Sequence, residues 1–163
     1  MNYFRDKVAL VTGSSSGLGR VIANGFAEAG AKLVIVGLES SDVERASGEL
    51  TSAGHEAIGL TADLTCQREV DDLFAKAAGH FGRLDVLVNN AGRSMRGKVL
   101  DTTPEQFRDL MELNLLATVR CTRAAVPHLL AARGHLVNIG SLASKSASRW
   151  VGAYPATKHA LAA

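Results

Sequence analysis

The fold is decided by one stretch near the N-terminus, residues 8–19, which reads Val-Ala-Leu-Val-Thr-Gly-Ser-Ser-Ser-Gly-Leu-Gly. Its first four residues are apolar, as expected of a short strand that is buried on both faces. A glycine-rich turn follows, and apolar residues then recur with helical spacing. A buried strand, a glycine turn and a helix in this order are typical of a βα unit that binds the phosphates of a dinucleotide.

The glycines and serines of this turn suit a pyrophosphate. One glycine lets the strand turn sharply, a second lets the backbone approach the phosphates, and a third lets helix and strand pack closely. The first N–H groups and the dipole of the helix attract the phosphates, and the three serines 14–16 add hydroxyl donors. An ordinary βα turn is the alternative. The residues predicted to bind the cofactor here are Gly13, Ser15, Ser16, Gly17, Leu18 and Gly19.

The rest of the chain alternates short apolar runs with segments of helical spacing. This alternation predicts one doubly wound, Rossmann-like α/β domain over residues 1–163, with a parallel sheet of about five strands and helices on both faces. The predicted strands are 8–11, 33–36, 57–60, 86–88 and 136–139. The predicted helices are 18–29, 42–53, 69–81, 104–133 and a last one that runs from 152 or 153 to the end.

The longest predicted helix has clear signals at both ends. Thr103 is a good N-cap, Pro104 fits the first helical position, and Gln106 completes a capping box. At the other end, Arg133 is followed by Gly134 in the position where a glycine commonly ends a helix. The pattern therefore predicts one continuous helix between them.

Composition and charge exclude several classes of protein. Apolar residues make up 47% of the chain, and 18 basic and 16 acidic residues are interspersed for a net charge of +2. This balance gives no reason to expect a nucleic acid or an anionic membrane as a partner. No apolar run approaches the roughly 20 residues that span a bilayer. Isolated Cys66 and Cys121 indicate buried or half-buried thiols in a reducing compartment, and no histidine has metal-ligand spacing. We expect a soluble, cytoplasmic protein without a metal site.

Further motifs follow the later strands. The segment Asp63-Leu64-Thr65 follows the third strand, and Asn89-Asn90-Ala91-Gly92 follows the fourth. Asn114 lies inside the long helix, Ser141 follows the fifth strand, and Tyr154 precedes Lys158 by four residues. Together with the glycine turn, which reads T-G-x-x-x-G-x-G, these motifs resemble those of the short-chain dehydrogenase/reductase family, in the same order and over the whole chain.

The resemblance implies a role for each motif. It implies an enzyme that uses NAD or NADP, with Asn114, Ser141, Tyr154 and Lys158 as catalytic residues. Lys158 would also hold the nicotinamide ribose, and Asn114 would support a water in a proton relay. The further cofactor-binding residues that it implies are Leu38, Asp63, Leu64, Asn90, Ala91, Gly92, Tyr154 and Lys158.

The chemistry of these side chains agrees with that expectation. Tyr154 and Lys158 share one face of a helix, and a nearby ammonium favours the ionised phenol, so Tyr154 suits a general acid/base. Ser141 lies at the carboxyl end of a strand, where its hydroxyl can hold a substrate oxygen. Each residue alone has an ordinary alternative: packing for the tyrosine, solvation for the lysine, an exposed polar position for Asn114 and a cap for the serine. Trp150 either lines a substrate pocket or packs.

The end of the second strand bears on the choice of cofactor. An acid there binds the ribose hydroxyls, and a base favours the 2′-phosphate of NADP. Gly37 and Leu38 are neither, and Glu39 follows them. Because a carboxylate is near and no cation is, this segment favours NAD.

Three hypotheses for the function remain open. The first is an oxidoreductase that acts on a small secondary alcohol or ketone, as a homodimer or homotetramer in its full-length form. The second is a dinucleotide-binding protein without catalysis, and the third is an inactive fragment of the first. Relatives in the family continue with another helix and two strands, whereas this chain ends five residues after Lys158. We therefore expect an incomplete fold, with the fifth strand as an open apolar edge and no hydride transfer by residues 1–163 alone.

Overall fold

The computed structural model describes residues 3–146 and 149–163. Their backbone forms a parallel five-stranded sheet in the order β3-β2-β1-β4-β5, which confirms the predicted Rossmann-like α/β fold. Each of the five predicted runs forms a strand. The strands are β1 (Val8–Val11), β2 (Lys32–Gly37), β3 (Ala57–Thr61), β4 (Val86–Asn89) and β5 (His135–Asn138).

Helices cover both faces of the sheet because side chains alternate along each strand. The helices are α1 (Gly17–Glu28), α2 (Ser40–Ser52), α3 (Gln67–Phe81), α4 (Pro104–Met111), α5 (Ala117–Ala132) and α6 (Tyr154–Ala162). On β1, Val8 and Leu10 pack into one apolar cluster with α3 and α5, and Ala9 and Val11 pack into a second with α1 and α2.

The prediction of one regular helix over 104–133 is wrong in its middle. The capping box of Thr103 and Gln106 is present and begins α4, but residues Glu112–Leu116 form a π-helical segment before α5. Such segments are often found at functional sites. This one contains Asn114, whose side chain is buried and bonded to two other parts of the chain.

The end of α5 also differs from the prediction. The left-handed residue is Arg133, with φ of 51°, and not Gly134. A Cβ on Gly134 would lie 2.2 Å from the carbonyl oxygen of Asp85. Glycine is therefore required here because the position packs closely against the backbone before β4, and not because its φ is positive.

Asp85 connects the starts of three strands. Its carboxylate accepts hydrogen bonds from the backbone N–H of Val8 (3.0 Å) and from the side chains of Lys7 (3.2 Å) and Arg83 (2.5 and 2.7 Å). Its backbone carbonyl accepts from the N–H of His135 (2.7 Å). Burial alone raises the pKa of this carboxyl, but the hydrogen bonds from Arg83, Val8 and Lys7 outweigh it, so the pKa lies below its ordinary value.

β5 forms one edge of the sheet and is exposed. Leu136 and Val137 each retain 42% of their accessible surface, in agreement with the expected apolar edge. Within residues 3–146 and 149–163, no helix is long and apolar enough to cross a membrane.

Candidate functional site

The predicted cofactor residues meet at the carboxyl edge of the sheet. The chain runs outward from β1 to β2 and β3 on one side and to β4 and β5 on the other, which is the switch point where ligands bind in open α/β sheets. A cavity of about 260 Å³ opens there. Its lining includes nine of the predicted residues: Gly13, Ser15, Ser16, Leu38, Asp63, Leu64, Asn90, Ala91 and Gly92.

The remaining three residues of the glycine turn lie at the start of α1. Gly13 and Gly17 have positive φ, 64° and 54°, so both need glycine. A Cβ on Gly17 would meet nothing within 4 Å, whereas a Cβ on Gly19 would lie 2.2 Å from the Gly13 carbonyl oxygen. Gly17 and Leu18 are exposed and Gly19 is buried. The turn therefore combines an accessible backbone with a close helix–strand contact.

The prediction that all three serines offer hydroxyls to the phosphates is wrong for Ser14. Its buried hydroxyl donates to the carbonyl of Val11 (2.6 Å) and accepts from the N–H of Val36 (2.9 Å), so it connects β1 to β2. Ser15 and Ser16 line the cavity, and Ser16 makes no capping bond with its side chain. Two of the three serines, not all three, are therefore placed to offer a hydroxyl to the site.

Thr12 and Asn90 connect the turn to the segment after β4. The Thr12 hydroxyl accepts from the N–H groups of Asn90 and Ala91, both at 3.0 Å. The side-chain amide of Asn90 donates to the carbonyls of Thr12 (2.9 Å) and Gly13 (3.3 Å). Asn90 therefore holds the glycine turn in shape in addition to lining the cavity.

The segment after β2 meets the glycine turn closely. A Cβ on Gly37 would lie 2.6 Å from the hydroxyl oxygen of Ser15, so this position has no room for the acidic side chain that ends β2 in many NAD sites. Leu38 and Glu39 are exposed. On the other side of the cavity, the carboxylate of Asp63 accepts from the backbone N–H (2.9 Å) and the hydroxyl (2.7 Å) of Thr65.

Asn114 connects three parts of the chain. Its amide nitrogen donates to the carbonyl of Arg93 (2.9 Å) and to the hydroxyl of Thr157 (3.0 Å), and its oxygen accepts from the N–H of Arg93 (2.9 Å). The Thr157 hydroxyl in turn donates to the carbonyl of Tyr154 (2.8 Å). These bonds fix the start of α6 against the loop after β4.

The other three predicted catalytic residues lie around the start of α6. Tyr154 is the first residue of this helix and is half-buried. Lys158 is buried, and its ammonium donates to the carbonyl of Ile139 (2.8 Å); burial lowers its pKa. The Ser141 hydroxyl accepts from the N–H of Ala143 (3.1 Å) and caps a short 3₁₀ turn. Among the described residues, no hydrogen bond joins the Tyr154 phenol to Ser141 or Lys158.

Sequence reasoning missed the supporting residues Thr12, Ser14 and Thr157. All three are buried polar residues whose hydroxyls bond to other segments. Their proximity to glycine and tyrosine motifs was the only available signal, since their partners are distant in sequence.

The comparison with known families agrees with this geometry. The family model described as short chain dehydrogenase matches residues 7–163. The chain belongs to the short-chain dehydrogenase family. The matched residues include the glycine turn, the segment after β4 and the α6 helix.

Several relatives share this family. The chain is 33% identical over 158 residues to an uncharacterized oxidoreductase of Staphylococcus epidermidis, covering 96% of the chain and 67% of that protein. It is 39% identical over 163 residues to dehydrogenase/reductase SDR family member 7B of Mus musculus, covering 97% and 50%. It is 32% identical over 162 residues to a CLA biosynthesis dehydrogenase/reductase of Lactiplantibacillus plantarum, covering 98% and 57%. This short-chain dehydrogenase chain thus spans between half and about two thirds of their lengths.

Proposed function

We propose that this chain binds NAD or NADP and provides the cofactor site and the proton-transfer residues of an oxidoreductase. The reaction is a hydride transfer between the cofactor and a secondary alcohol or its ketone. One observation carries the proposal: the glycine-lined cavity lies at the switch point of the sheet, and Asn114 links the Tyr154 helix to the loop after β4 that borders the cavity.

The cavity residues fit a dinucleotide. The open backbone at Gly17 and the hydroxyls of Ser15 and Ser16 suit a pyrophosphate at the start of α1. Asp63 and Leu64 border the part of the cavity that suits the adenine. Asn90, Ala91 and Gly92 follow β4 and line the opposite side of the cavity. When bound, the cofactor supplies or accepts the hydride.

The proton is moved by the protein. In ketone reduction the Tyr154 phenol gives its proton to the substrate oxygen, and in alcohol oxidation it takes that proton back. The Lys158 ammonium stabilises the phenolate between these steps, and the Ser141 hydroxyl donates to the substrate oxygen as negative charge develops there. Asn114 holds the helix that carries Tyr154 and supports a water in the proton relay.

We propose NAD as the preferred cofactor. Glu39 is exposed two residues after the end of β2, near where a carboxylate accepts hydrogen bonds from ribose hydroxyls and repels a 2′-phosphate. Leu38 offers no cation at the adjacent position. Because Gly37 has no room for a side chain, the residues that follow it must determine the preference between NAD and NADP.

Self-association into a homodimer or homotetramer is part of the proposal. Helix α5 and the last residue of the π-helical segment before it leave four apolar side chains between 39% and 73% exposed, at spacings that place several of them on one side of the helix. These residues are Leu116, Val119, Val126 and Leu130. Free thiols at Cys66 and Cys121 suit a reducing compartment such as the cytoplasm.

The test is Tyr154→Phe in a full-length version of the protein. Turnover is followed by the absorbance of the reduced cofactor with a panel of ketones and alcohols, and the cofactor Kd is measured by calorimetry. The expected result is loss of turnover with the Kd nearly unchanged, because only the proton donor is removed. Turnover within a few-fold of the parent would overturn the role of Tyr154, and cofactor binding without any turnover in the parent would favour a non-catalytic dinucleotide-binding protein.

A further inference from the structure

A second cavity lies beside the start of the Tyr154 helix. It is an open groove of about 540 Å³ lined by Lys98, Val99, Leu100, Arg149 and Trp150. Two of these residues are cationic and three are apolar, and none is acidic. The apolar side chains are unusually exposed: Leu100 keeps 95% of its accessible surface, Val99 61% and Trp150 51%.

The backbone ties this groove to the candidate catalytic helix. The N–H of Gly97 donates to the carbonyl of Trp150 (3.0 Å), and the N–H of Gly152 donates to the carbonyl of Gly97 (2.9 Å). The carbonyl of Val151 accepts from the N–H of Tyr154 (3.1 Å). The two walls of the groove are therefore hydrogen-bonded to each other, and one of them continues directly into α6.

The two cations are arranged around one indole ring. The ammonium of Lys98 lies 5.5 Å from the centre of the Trp150 ring, and the guanidinium carbon of Arg149 lies 5.1 Å from it. A guanidinium that stacks on an aromatic face keeps its in-plane N–H donors available for a carboxylate. The groove thus combines an apolar wall with two cations whose donors remain usable.

Neighbouring charges strengthen the positive potential. Arg96 is exposed two residues before Lys98, and Asp101 is an acid in the same stretch. Arg93 is 4.0 Å from Asp109, so its charge is partly compensated. The groove as a whole attracts anions.

We propose that this groove binds the anionic end of the substrate. The substrate class is an amphipathic oxo acid or hydroxy acid, in which a carboxylate is joined by an apolar chain or ring to the carbonyl or carbinol that reaches Tyr154. The carboxylate pairs with Lys98 and Arg149, and the apolar part packs on Val99, Leu100 and Trp150. This inference rests on the proposed function, because it assigns the substrate of the same reaction.

Trp150 is the only tryptophan of the chain, so its fluorescence reports on this groove directly. The probe is phenylbutyrate, an apolar carboxylate that cannot be reduced as a ketone, and its methyl ester is the neutral comparison. We expect saturable quenching by the acid at a Kd about tenfold below that of the ester, and a weaker preference for the acid at high salt. Lys98→Met and Arg149→Met should each reduce that preference, and Lys98→Arg should keep it. Lys76→Met, which removes an exposed lysine from α3, is the matched control and should change nothing.

Turnover by the full-length version provides the second measurement. With β-benzoylpropionate and its methyl ester as ketones, the acid should have the higher kcat/KM, and Lys98→Met should reduce this preference through KM. Equal binding of acid and ester, or quenching that Lys98→Met and Arg149→Met leave intact, would overturn the groove as an anion site while cofactor binding and turnover stand. Selective binding of the acid without turnover of either ketone would keep the anion site and overturn its role in a reductase.

Discussion

The side-chain amide of Asn114 donates to the hydroxyl of Thr157 at 3.0 Å, and that hydroxyl donates to the carbonyl of Tyr154 at 2.8 Å. Thr157 is fully buried, so neither bond is replaced by water if the hydroxyl is lost. The pair connects the π-helical segment with the first turn of α6. A residue that touches no ligand thus helps to set where the Tyr154 phenol lies.

In the full-length version, Thr157→Val should lower both turnover and stability. Valine keeps the shape and removes both bonds, leaving the Asn114 amide with one partner fewer, which costs about 1–3 kcal/mol of unfolding free energy. We expect kcat to fall at least tenfold (about 1.4 kcal/mol) with the cofactor Kd unchanged, because small displacements of a reacting group cost large factors in rate. Thr157→Ser, which keeps the hydroxyl, should restore most of kcat. A purely structural role would leave kcat of the folded variant at the parent value.

Gly19→Val should weaken cofactor binding by at least about tenfold. The new side chain would start 2.2 Å from the Gly13 carbonyl and 2.5 Å from the Asn90 amide, and would push α1 away from the turn. Gly25→Val is the matched control, since a Cβ there meets nothing within 4 Å. Calorimetric titration of the cofactor decides between them. Equal affinity in the two variants would mean that the turn is not a phosphate site.

Glu39 should set the preference for NAD. In the full-length version, we expect kcat/KM to favour NAD over NADP, and Glu39→Gln to reduce the ratio because the amide no longer repels the 2′-phosphate. Glu44→Gln, five residues further along the exposed side of α2, is the control and should leave the ratio unchanged. Equal use of the two cofactors by the parent, or a preference for NADP, contradicts this assignment.

Asp85 should make stability depend on acidic pH. Its folded pKa lies below the unfolded value, so its stabilising contribution is complete above the unfolded pKa and is lost as the pH falls through the folded one. Asp85→Asn should cost about 2 kcal/mol at neutral pH, and the difference from the parent should shrink below about pH 4. Urea unfolding at several pH values measures it, with the exposed Asp72→Asn as control. A difference that stays constant with pH would show that the carboxylate charge is irrelevant.

The two cysteines should react very differently with iodoacetamide. Only 1% of the surface of Cys121 is exposed, and this burial raises the pKa of its thiol to about 12. Almost no thiolate therefore forms near pH 8. Cys66 is half-buried just before α3. Mass spectrometry of the native protein should find the label on Cys66, and Cys66→Ser should remain unlabelled until urea is added. Rapid native labelling of Cys121 would contradict its position in the core.

The central strands β1, β2 and β4 were predictable from sequence because they are buried on both faces. Runs such as residues 8–11 and 33–36 lie inside, so they are continuously apolar and easily distinguished from the helices. Even β3, which is only half-buried, has enough apolar character to be found. The same logic located the cavity, since residues that follow parallel strands meet at one edge.

The errors arose where a distant contact decides the local structure. Nothing near Asn114 in sequence indicates a π-helical segment, because its bonding partners are Arg93 and Thr157. Gly134 resembles a helix-ending glycine, yet the Asp85 carbonyl is the reason that it has no side chain. Ser14 resembles its two neighbours, and only its bond to Val36 in the next strand assigns it a different role.

The hydroxyl and amide bonds that shape the glycine turn have a thermodynamic consequence. Ser14 hydrogen-bonds the turn to β2, and the hydrogen bonds between Thr12 and Asn90 join the turn to the segment after β4. A turn that the protein itself keeps in one conformation loses little conformational entropy when a ligand arrives. Removing one of these hydrogen bonds should let the unliganded turn become disordered, so that ligand binding must order it and the affinity falls, even though the bond touches no ligand atom. The visible sign would be hydrogen exchange in the turn that slows when the ligand binds.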